Sequence, residues 1–416
     1  LSSVNAWHTV GHYLSKLTAD GERADLVATI LARLQSSNER YWIGCLQGVL
    51  QALADEEREV ILRALVPGLD DAAALTLFKY ASFEGSTWSL LAELRPDLQV
   101  PYWREVVPYG WRQSESELNL CVERLLDVDR PISAFNAMSH EFKRLDGGIL
   151  ARLMKGLIQP TKELEREVQI NAGAISDALE ALQASGAASV AELAQYEYLF
   201  INALSHSRHG IPNLELRIEE APADFVQLVS LLYRRDDGGE DPPELRIPEG
   251  RDMQAIGSNV YRVLDKIKRT PGTQDDGTVD SSALLAWLVD VRERLRLVGR
   301  ANVGDSQIGQ LLGRTGPGAD GIWPNEAVRD ALEACGSDRM IQGMEIGLHN
   351  NRGATWRGPG GGQERNLASK YRAFSHQLQI DYPVTSRMLE HVAQMYDGQA
   401  EWHDTDEAVR KRLRRR

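Results

Sequence analysis

The residues whose types could do chemistry together lie in a glycine-rich stretch near the C-terminus, at positions 349–365. It offers three cations and one aromatic ring: Arg352, Arg357, Arg365 and Trp356. Its glycines lead into a predicted helix, so backbone N–H groups at that helix start could hold a phosphate. The chain has no GxxxxGK[ST] motif and no predicted strand before the stretch, which excludes a Walker A site. The interpretation that we favour is a long connection between helices, with Trp356 docked on the scaffold.

The histidines offer a second chemistry, which is general acid–base catalysis or metal binding. His206 and His209 lie in one predicted loop, and His349 lies at the end of a predicted helix. A His-x-x-His pair without a third ligand does not define a metal site. The sequence has no Gly-x-Ser-x-Gly nucleophile motif, and its three cysteines form no CxxC pair. We predict no catalytic residue, no metal site and no cofactor, and keep as an alternative an unrecognised enzyme that uses these histidines.

The C-terminus is strongly basic. Its cations are Arg410, Lys411, Arg412, Arg414, Arg415 and Arg416. Such a tail could contact nucleic acid, or it could be a helix end whose cations complement the helix dipole. The net charge of the chain is -13, which disfavours a general nucleic-acid binder. We therefore rank nucleotide or nucleic-acid binding, through positions 349–365 and this tail, as the second functional hypothesis.

Short amphipathic helices must position these residues. Leu26, Ile30 and Leu34 follow one another at four-residue spacing, which predicts one buried face of a helix. Breaks such as Pro67-Gly68 recur about every 15 to 20 residues, so helix pairs recur about every 30 to 40, as in helical-hairpin repeats. Alternating β-branched runs are missing almost everywhere. We predict an all-α fold, in which a helical-hairpin (HEAT-like) array is followed by a C-terminal helical domain.

Local signals also place individual helix boundaries. Ser189 with Glu192 three residues later predicts a capping box, and Asp280 predicts the N-cap of another helix. The last two predicted helices are Thr385–Tyr396 and Asp404–Leu413, separated by a short break.

Composition predicts the domain organisation. We expect a degenerate helical-repeat array at 1–235, an acidic glycine- and proline-rich linker at 236–252, and a C-terminal helical domain at 253–416. No run approaches 18 apolar residues, so we expect no membrane-spanning helix. Sparse, unpaired cysteines are typical of a reducing compartment, which predicts a cytoplasmic protein.

Several strings in the last two-thirds of the chain are distinctive as a set. They are His209–Glu215, Asp237–Glu244, Gly304–Leu312, Asp320–Pro324 and Gly361–Arg365. Together they resemble the C-terminal region of large, poorly characterised bacterial multidomain proteins. The resemblance implies a helical tail with no established activity and an effector or other domain upstream of Leu1. By the same architecture, a role in bacterial defence is an expectation.

The leading functional hypothesis is a non-catalytic protein-interaction or sensor scaffold. It rests on repeat-like helical spacing and on the lack of a catalytic motif. We expect a protein partner to lie along a concave face of the array or around Gly353–Arg365, where Arg352, Trp356, Arg357 and Arg365 are the candidate binding residues.

Overall fold

The computed structural model describes residues 4–36, 41–111, 113–161, 163, 168–246, 250, 252–351 and 360–414. In this part of the chain the regular structure is helical, with one isolated β-bridge between Thr273 and Val279. The predicted all-α fold is therefore confirmed. The chain divides into two compact units, Leu1–Ala188 and Ser189–Arg416.

The first unit is a succession of short helices. They are α1 (Val4–Leu17), α2 (Arg23–Ser36), α3 (Tyr41–Ala52), α4 (Asp55–Leu65), α5 (Asp71–Tyr80), α6 (Gly85–Leu94), α7 (Gln99–Glu105), α8 (Glu115–Asp127), α9 (Pro131–Ala137), α10 (Gly147–Leu157) and α11 (Ile175–Ser185).

These helices stack in two alternating rows. Helix α2 contacts α4, which contacts α6, while α3 contacts α5, which contacts α7. Farther along, α8 contacts α10, which contacts α11. In most of these pairs a helix therefore contacts the helix two positions later in the chain. This is the packing of a helical-hairpin array, in which each hairpin buries its apolar faces against its neighbours. Leu46, Val49 and Leu50 of α3, for example, are fully buried.

The second unit contains the longest of the described helices together with several short ones. They are α12 (Val190–Leu199), α13 (Ile201–Leu204), α14 (Pro212–Glu220), α15 (Pro222–Leu232), α16 (Met253–Lys266), α17 (Ser281–Leu297), α18 (Ala301–Leu312), α19 (Glu326–Cys335), α20 (Asp338–Asn351), α21 (Gly362–Leu378) and α22 (Pro383–Arg414). Side chains from all parts of this unit meet in one hydrophobic core. The two helices predicted over 385–396 and 404–413 are one continuous helix of 32 residues, because Gly398 adopts helical backbone and does not interrupt it.

The acidic segment that we expected to be a linker is anchored in the second unit. Arg300 is fully buried and pairs with Asp241 at 2.7 Å. Its guanidinium also donates to the carbonyl oxygen of Tyr233 at 2.8 Å. The backbone N–H of Asp236 donates to the carbonyl oxygen of Gly299 at 2.7 Å. The described part of 236–252 therefore lies within the second unit, and the division between the units falls at Ala188.

Three helices that begin with proline receive the same kind of cap from a distant side chain. Proline at the first helical position has no N–H, so the donors that need a partner belong to the next residues. In each case a glutamate from another segment accepts from the second or third residue: Glu163 from Ile132 at 2.7 Å, Glu197 from Leu214 at 2.7 Å and Glu333 from Thr385 at 2.8 Å. These bonds tie each helix start to a neighbouring element.

Candidate functional site

The predicted ligand-binding stretch is only partly described. Arg352, Trp356 and Arg357 lie outside the described residues. Arg365 lies in the first turn of α21, where its guanidinium forms an ion pair with Asp404 of α22. The side chain of Arg365 is therefore held against a neighbouring helix.

Asp404 takes the place of an anion at the start of α21. One carboxylate oxygen accepts the backbone N–H of Gly361 at 2.8 Å, and the other faces Arg365. These contacts, the Arg365 hydrogen bond first, hold the pKa of the Asp404 carboxyl below its usual range. A Cβ on Gly361 would overlap the backbone of Ala400, so the chain lies flat on α22 here. At this helix start an internal carboxylate therefore occupies a position where an anion would be favoured.

The basic tail continues α22. Arg410 pairs with Asp406 one turn earlier, at 2.9 Å. The side chains of Lys411, Arg412 and Arg414, and all of Arg415 and Arg416, lie outside the described residues. The helix runs to Arg414.

The histidines are in different settings. The Nε2 atom of His209 lies 3.0 Å from the carboxylate of Glu197, and both side chains are buried. Because this carboxylate also caps α14, the pair belongs to the core of the unit. His206 is exposed, and His349 is exposed at the end of α20. Among the described residues there is no group of three or more histidine, cysteine, aspartate or glutamate side chains suited to a metal ion.

A cleft of about 600 Å³ in the first unit was not predicted from the sequence. One side is the non-helical segment 107–111, which we name the apolar shelf. The other side is formed by α9, the residues that follow it, and Asn171. Val107 is 81% exposed and Trp111 is 54% exposed, although both are large and apolar. Exposed apolar groups that line a cleft are typical of an interaction surface.

Buried contacts hold the apolar shelf in place. The hydroxyl of Tyr109 accepts the backbone N–H of Phe83 at 3.2 Å, and its ring lies 5.4 Å from that of Trp111. Gly110 is buried, and a Cβ there would press on the carbonyl oxygen of Ala137 in α9. The shelf is therefore fixed before any partner arrives, which lowers the entropy cost of binding.

Arg130 binds the C-terminal end of α7, the helix that precedes the apolar shelf. Its guanidinium donates to the carbonyl oxygens of Trp103 and Val106, each at 2.8 Å, and to the hydroxyl of Ser133 at 3.0 Å. The two carbonyls belong to the end of α7, so Arg130 caps that end and joins it to α9.

Asn136 of α9 holds an extended stretch of the chain on the other side of the cleft. Its amide nitrogen donates to the carbonyl oxygen of Gln169 at 2.9 Å. Its amide oxygen accepts the backbone N–H of Asn171 at 2.8 Å. One side chain thus pairs with an acceptor and a donor of a non-helical backbone, as a neighbouring strand would. Asn136 thereby fixes segment 169–171, whose Asn171 forms part of the wall of the cleft.

The signal for this site in the sequence is the run Pro108-Tyr109-Gly110-Trp111 between two helices. It shows aromatic residues in a non-helical segment, but it does not show which rings are exposed. The partners of Asn136 lie more than 30 residues away in the chain. Only packing of α9 against segment 169–171 brings them together.

Fold and site define the class of this protein as an all-α helical array with a preorganised cleft. No protein-family model matches the chain, and no curated protein matches it. No helix in the described part of the chain is long and apolar enough to cross a membrane.

Proposed function

We propose that this protein is a non-catalytic interaction scaffold whose first unit binds an extended segment of a protein partner. The observation that supports the proposal most is a cleft with two fixed sides. One side is segment 169–171, which hydrogen bonds from Asn136 hold in place, and the other is the exposed apolar shelf. The partner segment lies between them and places a large apolar side chain against Val107 and Trp111.

The chemistry of the cleft favours a peptide over a small anion. Arg130 is committed to carbonyl oxygens of α7, so it is not available as an anion receptor. Polar side chains such as Asn136 and Ser139 line one side of the cleft, and the apolar shelf lines the other. The Asn136 amide and the Ser139 hydroxyl are engaged with segment 169–171, so the binding energy for a peptide comes mainly from the exposed apolar side chains of Val107 and Trp111.

The resemblance described above supports a wider proposal about context. As a scaffold in the bacterial cytoplasm, the array would carry a partner to an effector module of a larger protein. A defence role belongs to that proposal and rests on the same resemblance.

The test begins with peptides selected from a random phage-displayed library on the whole chain. Binding of a selected peptide is then measured by fluorescence polarisation for Trp111→Ala and Val107→Asp. We expect each change to weaken binding about tenfold or more, because a central tryptophan contact contributes about 2 kcal/mol or more. The matched control is Trp402→Ala, which removes a tryptophan that is 64% exposed in the second unit.

Circular dichroism and thermal melting separate binding from folding. Because Val107 and Trp111 are exposed, both variants should keep the melting temperature of the parent chain. Selected peptides that bind equally well to the parent chain and to Trp111→Ala would rule out the cleft as the binding site.

A further inference from the structure

The second unit contains a separate cleft of about 800 Å³. Two glycine-containing loops form much of its wall, one over 270–279 and one over 313–319. The start of α19 completes it at Asn325 and Glu326. A volume of this size accommodates a small metabolite.

Arg314 in this cleft has an unusual environment. Its guanidinium donates to the carbonyl oxygens of Leu264 and Ile267, at 2.6 and 2.8 Å. Burial lowers the pKa of Arg314. The two most buried arginines of the unit, Arg300 and Arg329, each pair with an aspartate. Arg314 has no carboxylate partner within ion-pair distance among the described residues, and its guanidinium hydrogen bonds go to neutral carbonyl groups.

Lys268 adds a second cation to the same cleft. Its side chain is exposed and has no ion-pair partner among the described residues. The neighbouring Arg269 is different, because it pairs with Glu219 at 2.6 Å and holds the loop. The cleft therefore presents two positive charges that the described chain does not neutralise by direct pairing.

The other charged groups of the cleft are acceptors. Glu215 accepts the backbone N–H groups of Lys268 and Arg269, and burial raises its pKa. Asp276 accepts the backbone N–H and hydroxyl of Thr278. Glu326 lies in the first turn of α19 against Gly318. These carboxylates make the cleft unsuitable for a large polyanion, but they can accept hydrogen bonds from hydroxyl groups of a ligand.

Hydroxyl groups of the protein complete the lining. They belong to Thr270, Thr273, Thr278, Ser281 and Thr315. The hydroxyls of Thr273, Thr278 and Ser281 donate within the chain, so toward a ligand they act as acceptors for its hydroxyl groups.

We propose that this cleft binds a small hydroxyl-bearing phosphate monoester, with the phosphate at Arg314 and Lys268. Guanidinium and ammonium groups bind phosphate through charge-assisted hydrogen bonds. The hydroxyl groups of the ligand contact Glu326, Asp276 and the threonines. The proposal is independent of the peptide cleft in the first unit, since it involves other residues.

Isothermal titration calorimetry of the full chain with ribose 5-phosphate, adenosine monophosphate and inorganic phosphate tests the proposal. We expect at least one of the two organic phosphates to bind more tightly than inorganic phosphate. Lys268→Gln should weaken that binding about tenfold, because it removes one charge-assisted bond. Lys266→Gln is the matched control, since Lys266 pairs with Asp265 at 3.6 Å and does not line the cleft.

Arg314→Gln removes the second cation of the cleft. It also removes the bonds to Leu264 and Ile267 at the end of α16, so it is compared with a variant that keeps the charge. Arg314→Lys keeps a cation at that position and should retain part of the affinity that Arg314→Gln loses. Absence of binding heat with all three compounds at millimolar concentration overturns the proposal. So does binding that Lys268→Gln and a folded Arg314→Gln leave unchanged. Equal affinity for inorganic phosphate and both organic phosphates overturns the role assigned to the ligand hydroxyls.

Discussion

The carboxylate of Asp404 joins Arg365 to the backbone of Gly361, so α22 supplies the anion at the start of α21. A helix start with a nearby arginine attracts negative charge, and here the attraction is satisfied within the chain. The described end of the glycine-rich stretch is thereby fixed to a helix.

The first prediction concerns the titration of this carboxyl. In Arg365→Ala the pKa of Asp404 should rise toward its ordinary value, since the arginine is the main cause of its depression. The Gly361 N–H remains, so the rise should be incomplete. A depressed pKa stabilises the fold above the ordinary carboxyl range, and this contribution disappears as the pH falls through the folded-state pKa. Carboxyl carbon NMR shifts measure the titration directly.

The control for that experiment is Arg372→Ala. Arg372 pairs with Asp397 at 2.7 Å across the same two helices. The Arg372→Ala substitution should leave the pKa of Asp404 unchanged. If Arg365→Ala has no effect either, the ion pair does not persist in solution.

The second prediction concerns the crossing of α18 and α20. A Cβ on Gly309 would overlap the carbonyl oxygen of Met340, and a Cβ on Gly343 would overlap that of Ser306. Gly343→Ala should therefore lower the free energy of unfolding by about 1 to 3 kcal/mol, because the helices must move apart. Urea denaturation monitored by circular dichroism measures the change.

Gly257→Ala provides a control with the opposite sign. Gly257 lies inside α16, and a Cβ there meets no atom within 4 Å. This variant should be more stable than the parent chain by about 0.5 to 1 kcal/mol, since alanine restricts the unfolded chain and favours helix. Equal effects of the two substitutions would contradict close packing at Gly343.

The third prediction concerns the remote cap of α14. Glu197→Ala removes a fully buried carboxylate that accepts from Leu214, Asn213 and His209. Several buried donors then lack an acceptor, so we expect a loss of about 3 to 5 kcal/mol in the free energy of unfolding. Chemical denaturation gives this value. Glu220→Ala, at an exposed position of α14, should change it by less than about 0.5 kcal/mol.

The fourth prediction concerns acid stability. The Arg300 hydrogen bond lowers the pKa of Asp241, so the pair stabilises the fold above the ordinary aspartate pKa and loses this effect as the pH falls. Asp241→Asn should cost about 3 kcal/mol at neutral pH, because a buried arginine loses its carboxylate. It should also flatten the decline in stability below about pH 4.

Unfolding curves at pH 7 and at pH 3 test both parts. Asp275→Asn serves as the control, because Asp275 is exposed in a turn of the same unit. If the two variants show the same dependence on pH, Asp241 does not contribute to acid stability through Arg300.

Local hydrogen bonds were predictable from the sequence. The capping box of Ser189 and Glu192 forms as expected, and Asp280 is the N-cap of α17. Both depend on groups within three residues of each other, so backbone geometry alone brings them together. The apolar period around Ile30 predicted α2, although the fully buried residues are Val27, Ile30 and Leu31, with Leu26 and Leu34 half-buried.

The candidate sites could not be predicted in the same way. Trp111 is exposed in an apolar shelf that Tyr109 and Gly110 hold in place. Tyr109 accepts a hydrogen bond from Phe83 and Gly110 packs against Ala137, and both partners belong to other segments. Arg314 has no carboxylate within ion-pair distance because the described segments packed around it place theirs farther away. Such properties depend on which residues of distant segments become neighbours.

The sequence by itself determined the all-α class, the local caps at Ser189 and Asp280 and the recurrence of short helices, because these depend on spacing within a few residues. The tertiary structure alone decided that Glu197 caps α14, that Asp404 faces Arg365 and that Asp241 pairs with the buried Arg300. The physical reason is that the hydrogen bonds and ion pairs of a charged side chain depend on which groups lie near it in space. Those neighbours are fixed only when the helices pack.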